Sequence, residues 1–102
     1  MADNSAPRAT VGNLSTVVSS ASSVLILAAN SLRAGAAVFN DSTQVLYLAL
    51  STTTASTTAY TVQIAAGGYY ELPNQGAIYT GRINGIWASA NGNARVTELV
   101  DQ

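Results

Sequence analysis

The sequence predicts an all-β protein, a single antiparallel β-sandwich of Greek-key or jelly-roll-like type with about seven or eight strands. Three observations predict it. Short apolar, β-prone runs recur about every ten residues, with turn signals between them. Several alternate, as in Tyr60-Thr-Val-Gln-Ile64, so that one face is apolar and the other polar. Finally, two β-prone stretches in Tyr79 to Leu99 flank Asn91-Gly92, a dipeptide that strongly signals a hairpin.

Each element follows in order. Residues 1–13 are small and polar, with Pro7 and Gly12, and read as a flexible N-terminal arm ahead of a domain over 14–102. Leu14-Ser-Thr-Val-Val-Ser19 reads as the first strand. The stretch Ala21 to Gly35 admits a helix ended by a glycine cap. However, Val24-Leu-Ile-Leu27 favours a strand, and Asn30-Ser31 supplies turn chemistry, so strand then turn is expected. Ala36-Ala-Val-Phe-Asn40 and Val45-Leu-Tyr-Leu-Ala-Leu50 are expected to pair as a hairpin across Asp41-Ser-Thr-Gln44. The Ser/Thr-rich residues 51–58 read as an exposed loop between strands. Gly67-Gly68 turns the chain into Tyr69-Tyr-Glu-Leu72, and Pro73-Asn-Gln-Gly76 is another turn. Asn84-Gly85 lies too close to Gly81 to be a separate hairpin, so a bulge or a close backbone approach within one strand is expected.

Composition excludes much chemistry. The 102 residues hold no Cys and no His, which removes thiol nucleophiles, Cys-type zinc sites and Ser-His-Asp catalysis. Only four Lys or Arg residues are present, and all four are arginines: Arg8, Arg33, Arg82 and Arg95. Without lysine there is no Schiff base and no P-loop lysine. Scattered arginines without a basic run predict no nucleic-acid partner. Val24-Leu-Ile-Leu-Ala-Ala29 is too short to span a bilayer, and Ser19, Ser20, Ser22 and Ser23 interrupt any signal-peptide reading, so no membrane partner and synthesis in the cytoplasm are expected. With 9% charged residues, little repulsion keeps copies apart, which fits a protein that lives in an assembly.

The polar and aromatic candidates carry structural readings beside functional ones. Arg33 could present its fork to a carboxylate across an interface, pair internally with Glu71 or Glu98, or simply be solvated. Of Tyr69 and Tyr70, one should face the core and one solvent, because neighbours in a strand alternate. With Tyr79 they could form an aromatic platform for a glycan. Trp87 reads as core or as an interface anchor. Asp3, Asp41, Glu71, Glu98 and Asp101 are far apart in sequence and suggest neither a carboxylate pair for glycoside hydrolysis nor a calcium loop. No catalytic, cofactor or metal site is expected. The candidate assembly contacts are Arg8, Arg33, Tyr70, Tyr79 and Arg82.

Several segments together resemble a known family. Leu27-Ala-Ala-Asn-Ser-Leu-Arg-Ala-Gly35 resembles its Asn-x-x-Arg-x-Gly segment, and Ala37-Val-Phe-Asn40 the strand after it. Val45-Leu-Tyr-Leu-Ala-Leu50 with Ala55-Ser56 resembles its tyrosine strand and small-residue loop. Leu72 to Trp87 resembles its Tyr-Thr-Gly…Ile-Trp stretch, and Gly92-Asn-Ala-Arg-Val-Thr-Glu98 its last strand. The family is the small β-sandwich virion structural proteins of tailed bacteriophages, found as head-decoration, head-fibre and minor tail proteins. The likeness covers about residues 14–99 and departs at Ser51, where such sequences often carry glycine. It implies a non-enzymatic protein of the virion, made in the host bacterial cytoplasm. Its partners would be the major capsid protein and sister copies, often as a homotrimer, and no cofactor is implied. The alternatives within the same resemblance are a carbohydrate- or receptor-binding module of a tail or fibre, and a minor tail protein.

Overall fold

The computed structural model describes residues 9–73 and 77–101. Eight strands form two four-stranded antiparallel sheets and no helix occurs among these residues. The strands are β1 Val11–Val18, β2 Val24–Leu27, β3 Arg33–Asp41, β4 Leu46–Leu50, β5 Val62–Ile64, β6 Tyr69–Glu71, β7 Ile83–Trp87 and β8 Asn93–Val100. One sheet runs β1-β8-β3-β6 and will be called sheet A; sheet B runs β2-β7-β4-β5. This strand order is that of an eight-stranded jelly roll, so the expected sandwich is present in its jelly-roll form. The chain changes sheet after every strand except β4, which pairs with the β5 that follows it.

The alternating patterns place the core. Leu46 and Leu48 of β4 face inward, as do Val38 of β3, Val96 of β8 and Trp87 of β7, all at most 2% exposed. Full burial of side chains of this size contributes roughly 1.5–3 kcal/mol each. Ile26, Ile64, Leu72 and Ile83 complete the packing between the sheets. Tyr70 packs against this core while Tyr69 points outward, as alternation requires. The strand-then-turn reading of 21–35 also holds: β2 ends at Leu27, and Asn30 accepts a backbone bond from Leu32 through its side chain.

Two expected hairpins are not hairpins. β3 and β4 lie in different sheets, so residues 42–45 form a corner crossing between layers instead of joining paired strands. The same is true of Asn91-Gly92: β7 pairs with β2 and β4, whereas β8 pairs with β1 and β3. Gly92 does adopt the positive φ that a turn glycine supplies (72°), but it uses it to enter the other sheet. A third boundary also moves. β1 begins at Val11, so residues 11–13, read as the end of the arm, pair with Val100, Leu99 and Glu98. The turn expected at residues 73–76 lies largely outside the described residues.

The Asn84-Gly85 expectation resolves into a close approach. The extra residue is on the facing strand, where Ile26 interrupts the register between Leu25–Asn84 and Leu27–Ile83. A Cβ on Gly85 would lie 2.9 Å from Ile26 Cδ1, so glycine leaves the room that Ile26 fills.

The crossover at Gly92 is tightly built. A Cβ there would collide with Asp41 O and would lie 2.8 Å from Ser42 Cα, both on the β3–β4 corner. Gly67 also has positive φ (76°) but open space around it. Gly67→Ala is therefore expected to cost only the left-handed backbone penalty of about 1–2 kcal/mol. Gly92→Ala should cost clearly more, seen as the larger drop in melting temperature.

Candidate functional site

Both ends of the sandwich are tied by polar side chains of one strand, β3. At its start, a one-residue register shift between Arg33–Val100 and Gly35–Leu99 lets Arg33 turn inward. Its side chain is 0% exposed. Arg33 Nε donates to Glu98 Oε2 at 2.8 Å on β8. Nη1 donates to Tyr79 O (3.1 Å) and Gly81 O (2.9 Å), and Nη2 to Ala28 O (2.6 Å). One guanidinium fork therefore holds the β2–β3 and β6–β7 connections against β8. Of the alternatives for Arg33, the internal pair is the one formed, with Glu98 and not Glu71. A fully buried guanidinium is not available as an assembly contact.

At the other end of β3, Asn40 is 0% exposed and does comparable work without charge. Its Nδ2 donates to Gln44 O, Ile64 O and Ala65 O at 2.7–3.2 Å. Its Oδ1 accepts from Ser42 Oγ (2.7 Å) and from the indole N–H of Trp87 (3.3 Å). Sequence reasoning missed this residue, because Asn beside Asp41 at a strand end reads as turn chemistry. Trp87, at 1% exposure, is core and not an interface anchor.

The remaining candidates separate. Tyr79 packs against the core and donates its hydroxyl to Arg82 O at 2.6 Å. Arg82 is exposed, with Nε bonded to Asn84 Oδ1 at 2.7 Å. Tyr70 is half-buried, and Arg8 lies outside the described residues. The structure does not gather these into one patch: Tyr70 lies in sheet A, while Arg82 reaches toward Asn84 in sheet B. Among the described residues, no three acids come together in a group that could hold a metal ion.

What the fold gathers is apolar surface, most of it on one side. The outer face of sheet B is partly covered by the chain itself, with Leu25 (41%) and Tyr60 (39%) still exposed there. Residues 51–59 run from β4 back over it, pinned where Asn84 Nδ2 donates to Ser51 O (3.2 Å) and Thr53 O (2.7 Å). Ser23 Oγ then accepts from Ala55 N at 2.9 Å, and Ala55 is 4% exposed. This Ser/Thr strap was legible as an exposed loop; its buried anchor was not. It explains why Ala49 and Asn84, outward-pointing in their strands, are 5% and 2% exposed.

The outer face of sheet A has no such cover among the described residues. The register places Thr16, Arg95, Phe39 and Tyr69 in one row across it, with Leu14, Thr97, Ala37 and Glu71 in the next. Leu14 (82%), Val18 (71%), Tyr69 (67%), Phe39 (40%) and Leu99 (39%) are exposed there. Its charges are few: Glu71, and Arg95 paired with Asp41 at 3.0 Å. Shallow grooves flank Thr97, one bordered by Gly35, Glu71, Pro73 and Leu99, the other by Leu14, Thr16 and Arg95. Contiguous exposed apolar surface of this kind marks contact with another macromolecule.

Compared with known protein families, curated proteins and solved structures, the chain matches none. The functional reading therefore rests on its own residues and on the surface they form.

The two ion pairs should respond very differently to truncation. Glu98→Ala leaves the buried Arg33 guanidinium without its carboxylate and is expected to destabilise by about 3–5 kcal/mol. Arg95→Ala breaks a pair whose side chains are 57% and 45% exposed and should cost less than about 1 kcal/mol. Urea-unfolding midpoints of the two variants give the comparison.

Proposed function

We propose that the protein is a non-enzymatic structural protein of a tailed-bacteriophage virion, and specifically a decoration protein that binds and reinforces the assembled head. The observation that carries this reading is the open outer face of sheet A, which carries most of the large exposed hydrophobic residues, opposite a face the chain partly covers itself. Such a surface gains free energy by burial against capsid subunits and sister copies, and needs no reactive group to do so. The sequence resemblance supports the same reading. The jelly roll supports it only by analogy, since this fold recurs in viral shells and also in lectins.

The glycan-binding alternative draws less support from the site. It requires Tyr69 or Tyr70 to stand with Tyr79 as exposed rings on one face. Tyr69 alone of these is largely exposed, while Tyr70 and Tyr79 pack against the core.

Incubation with head shells that lack the protein, followed by co-sedimentation, tests the proposal. The protein is expected to pellet with the shells, and Tyr69→Glu to weaken that binding by at least about tenfold, or 1.4 kcal/mol. Thr57→Glu, on the strap over sheet B, should bind as the parent does. No binding to shells, or equal binding by both variants, would overturn the proposal, and a glycan array giving a specific ligand would favour the alternative.

A further inference from the structure

We infer that β1 is a pairing edge, and that two copies of this chain join through it antiparallel, making one continuous eight-stranded sheet from two sheets A. The inference concerns the chain's association with itself and stands apart from the virion reading.

β1 is the outer strand of sheet A, and its only strand neighbour among the described residues is β8. Its backbone parity is fixed by the bond just past Val18, the bond from Thr10 N to Val100 O lying ahead of the ladder and out of its phase. Ser19 N donates to Gly92 O, one step beyond the Val18–Asn93 pair, and the register runs to Val11–Val100 without a shift. Asp101 N donates to Leu32 O on the far side of β8, in the same phase. In an antiparallel ladder alternate residues bond to opposite sides. The odd-numbered residues of β1 therefore bond to β8, and Gly12, Leu14, Thr16 and Val18 turn their N–H and C=O groups outward from the sheet.

Proteins that must avoid pairing at such an edge blunt it with lysine, proline, inward charge, a bulge or a very short strand. β1 has none of these devices: eight residues, Val-Gly-Asn-Leu-Ser-Thr-Val-Val, with no charge, no proline and no register shift. Its lack of charge also fits it to a copy of itself, because no like charges meet when it lies antiparallel to its own sequence.

Self-pairing has one best register. A two-fold axis at Ser15 sets Gly12 opposite Val18 and Leu14 opposite Thr16 of the second copy, so all four outward residues exchange both backbone bonds. Ser15 then faces Ser15 across a non-hydrogen-bonded position. The outer faces of the two sheets A become continuous, and Leu14 and Val18, the two most exposed large hydrophobics, gain cross-strand neighbours. A three-fold ring made through edges would instead require β1 to meet a different edge. The other edges, β6, β5 and β2, have only three, three and four residues. β1 matches none of them in length, which points to a two-fold pair where the family resemblance implied a trimer.

The absence of native cysteine allows a direct test of both pairing and register. At the axis the Ser15 Cα atoms would be about 4.5 Å apart, within disulfide range. The Asn13 Cα atoms would be offset along the strands by about 14 Å, outside it. Under mild oxidation the full chain carrying Ser15→Cys is expected to form a disulfide dimer at least about tenfold faster than one carrying Asn13→Cys. Sedimentation of the unmodified chain should show monomer passing to dimer as concentration rises. Thr16→Pro, which removes an N–H without a partner among the described residues, should stay monomeric with its melting temperature retained; Leu14→Lys is the second blocking variant, changing only an exposed side chain. Equal cross-linking of the two cysteine variants, a strict monomer or trimer at high concentration, or undiminished association of Leu14→Lys would overturn the inference. Shell binding by Thr16→Pro, which adds no charge to the face proposed to meet the shell, separates the two proposals: dimerisation without shell binding leaves the edge standing, and shell binding without dimerisation leaves the virion role standing.

Discussion

A chain that changes sheet after nearly every strand must satisfy, at both ends of the sandwich, the backbone groups that leave the ladders there. Buried carbonyls without partners cost about 1–3 kcal/mol each, so the sharp corners of a jelly roll depend on donors placed inside them. Here β3 supplies those donors at both ends. Arg33 gathers three carbonyls and a carboxylate at one end, and Asn40 three carbonyls at the other. No buried side-chain nitrogen or oxygen among the described residues lacks a partner. The apolar core between the sheets supplies most of the driving force, but these two side chains fix which corner lies against which. The extra residue in β3 beside Arg33 belongs to the same arrangement, because without it the guanidinium would follow Gly35 to the outer face.

Much of this architecture was readable from the residues, and the unreadable part has a consistent physical origin. Alternation in Tyr60 to Ile64 located a strand, and alternation across Tyr69 and Tyr70 gave one inner and one outer ring, since period-two burial is a local property. Pairing is not local. A glycine with positive φ after an asparagine serves equally to join paired strands or to lift the chain into a second layer, so Asn91-Gly92 announced a turn and misdirected its partner. The corner after Asp41 misled in the same way. Arg33 was legible as one half of an ion pair, with two carboxylates in contention, and only the register between β3 and β8 selected Glu98. Asn40 read only as turn chemistry, because its local partners lie 2 and 4 residues away and the others 24, 25 and 47.

The exposed apolar face was the hardest feature to foresee for a related reason. Leu14, Phe39, Tyr69 and Leu99 come from four strands scattered along the chain, and each alone is an ordinary exposed hydrophobic residue. The register brings them onto one face. The arginines and tyrosines that sequence chemistry singles out are mostly spent on holding the fold: Arg33 in a corner, Tyr79 on the Arg82 carbonyl, Tyr70 against the core.

The strap over sheet B gives this asymmetry a consequence for growth. A domain adhesive on both broad faces would stack, each copy offering a fresh surface to the next, and material would build up without limit. Residues 51–59 cover part of one of those faces with the domain's own threonines and serines, exposed as Thr52, Thr53, Thr54, Thr57 and Thr58. Copies laid down with sheet A inward would present hydrated hydroxyls to the solution. On the proposed reading, the result would be a coating that spreads sideways, stops at the thickness of a single molecule and leaves the particle wettable.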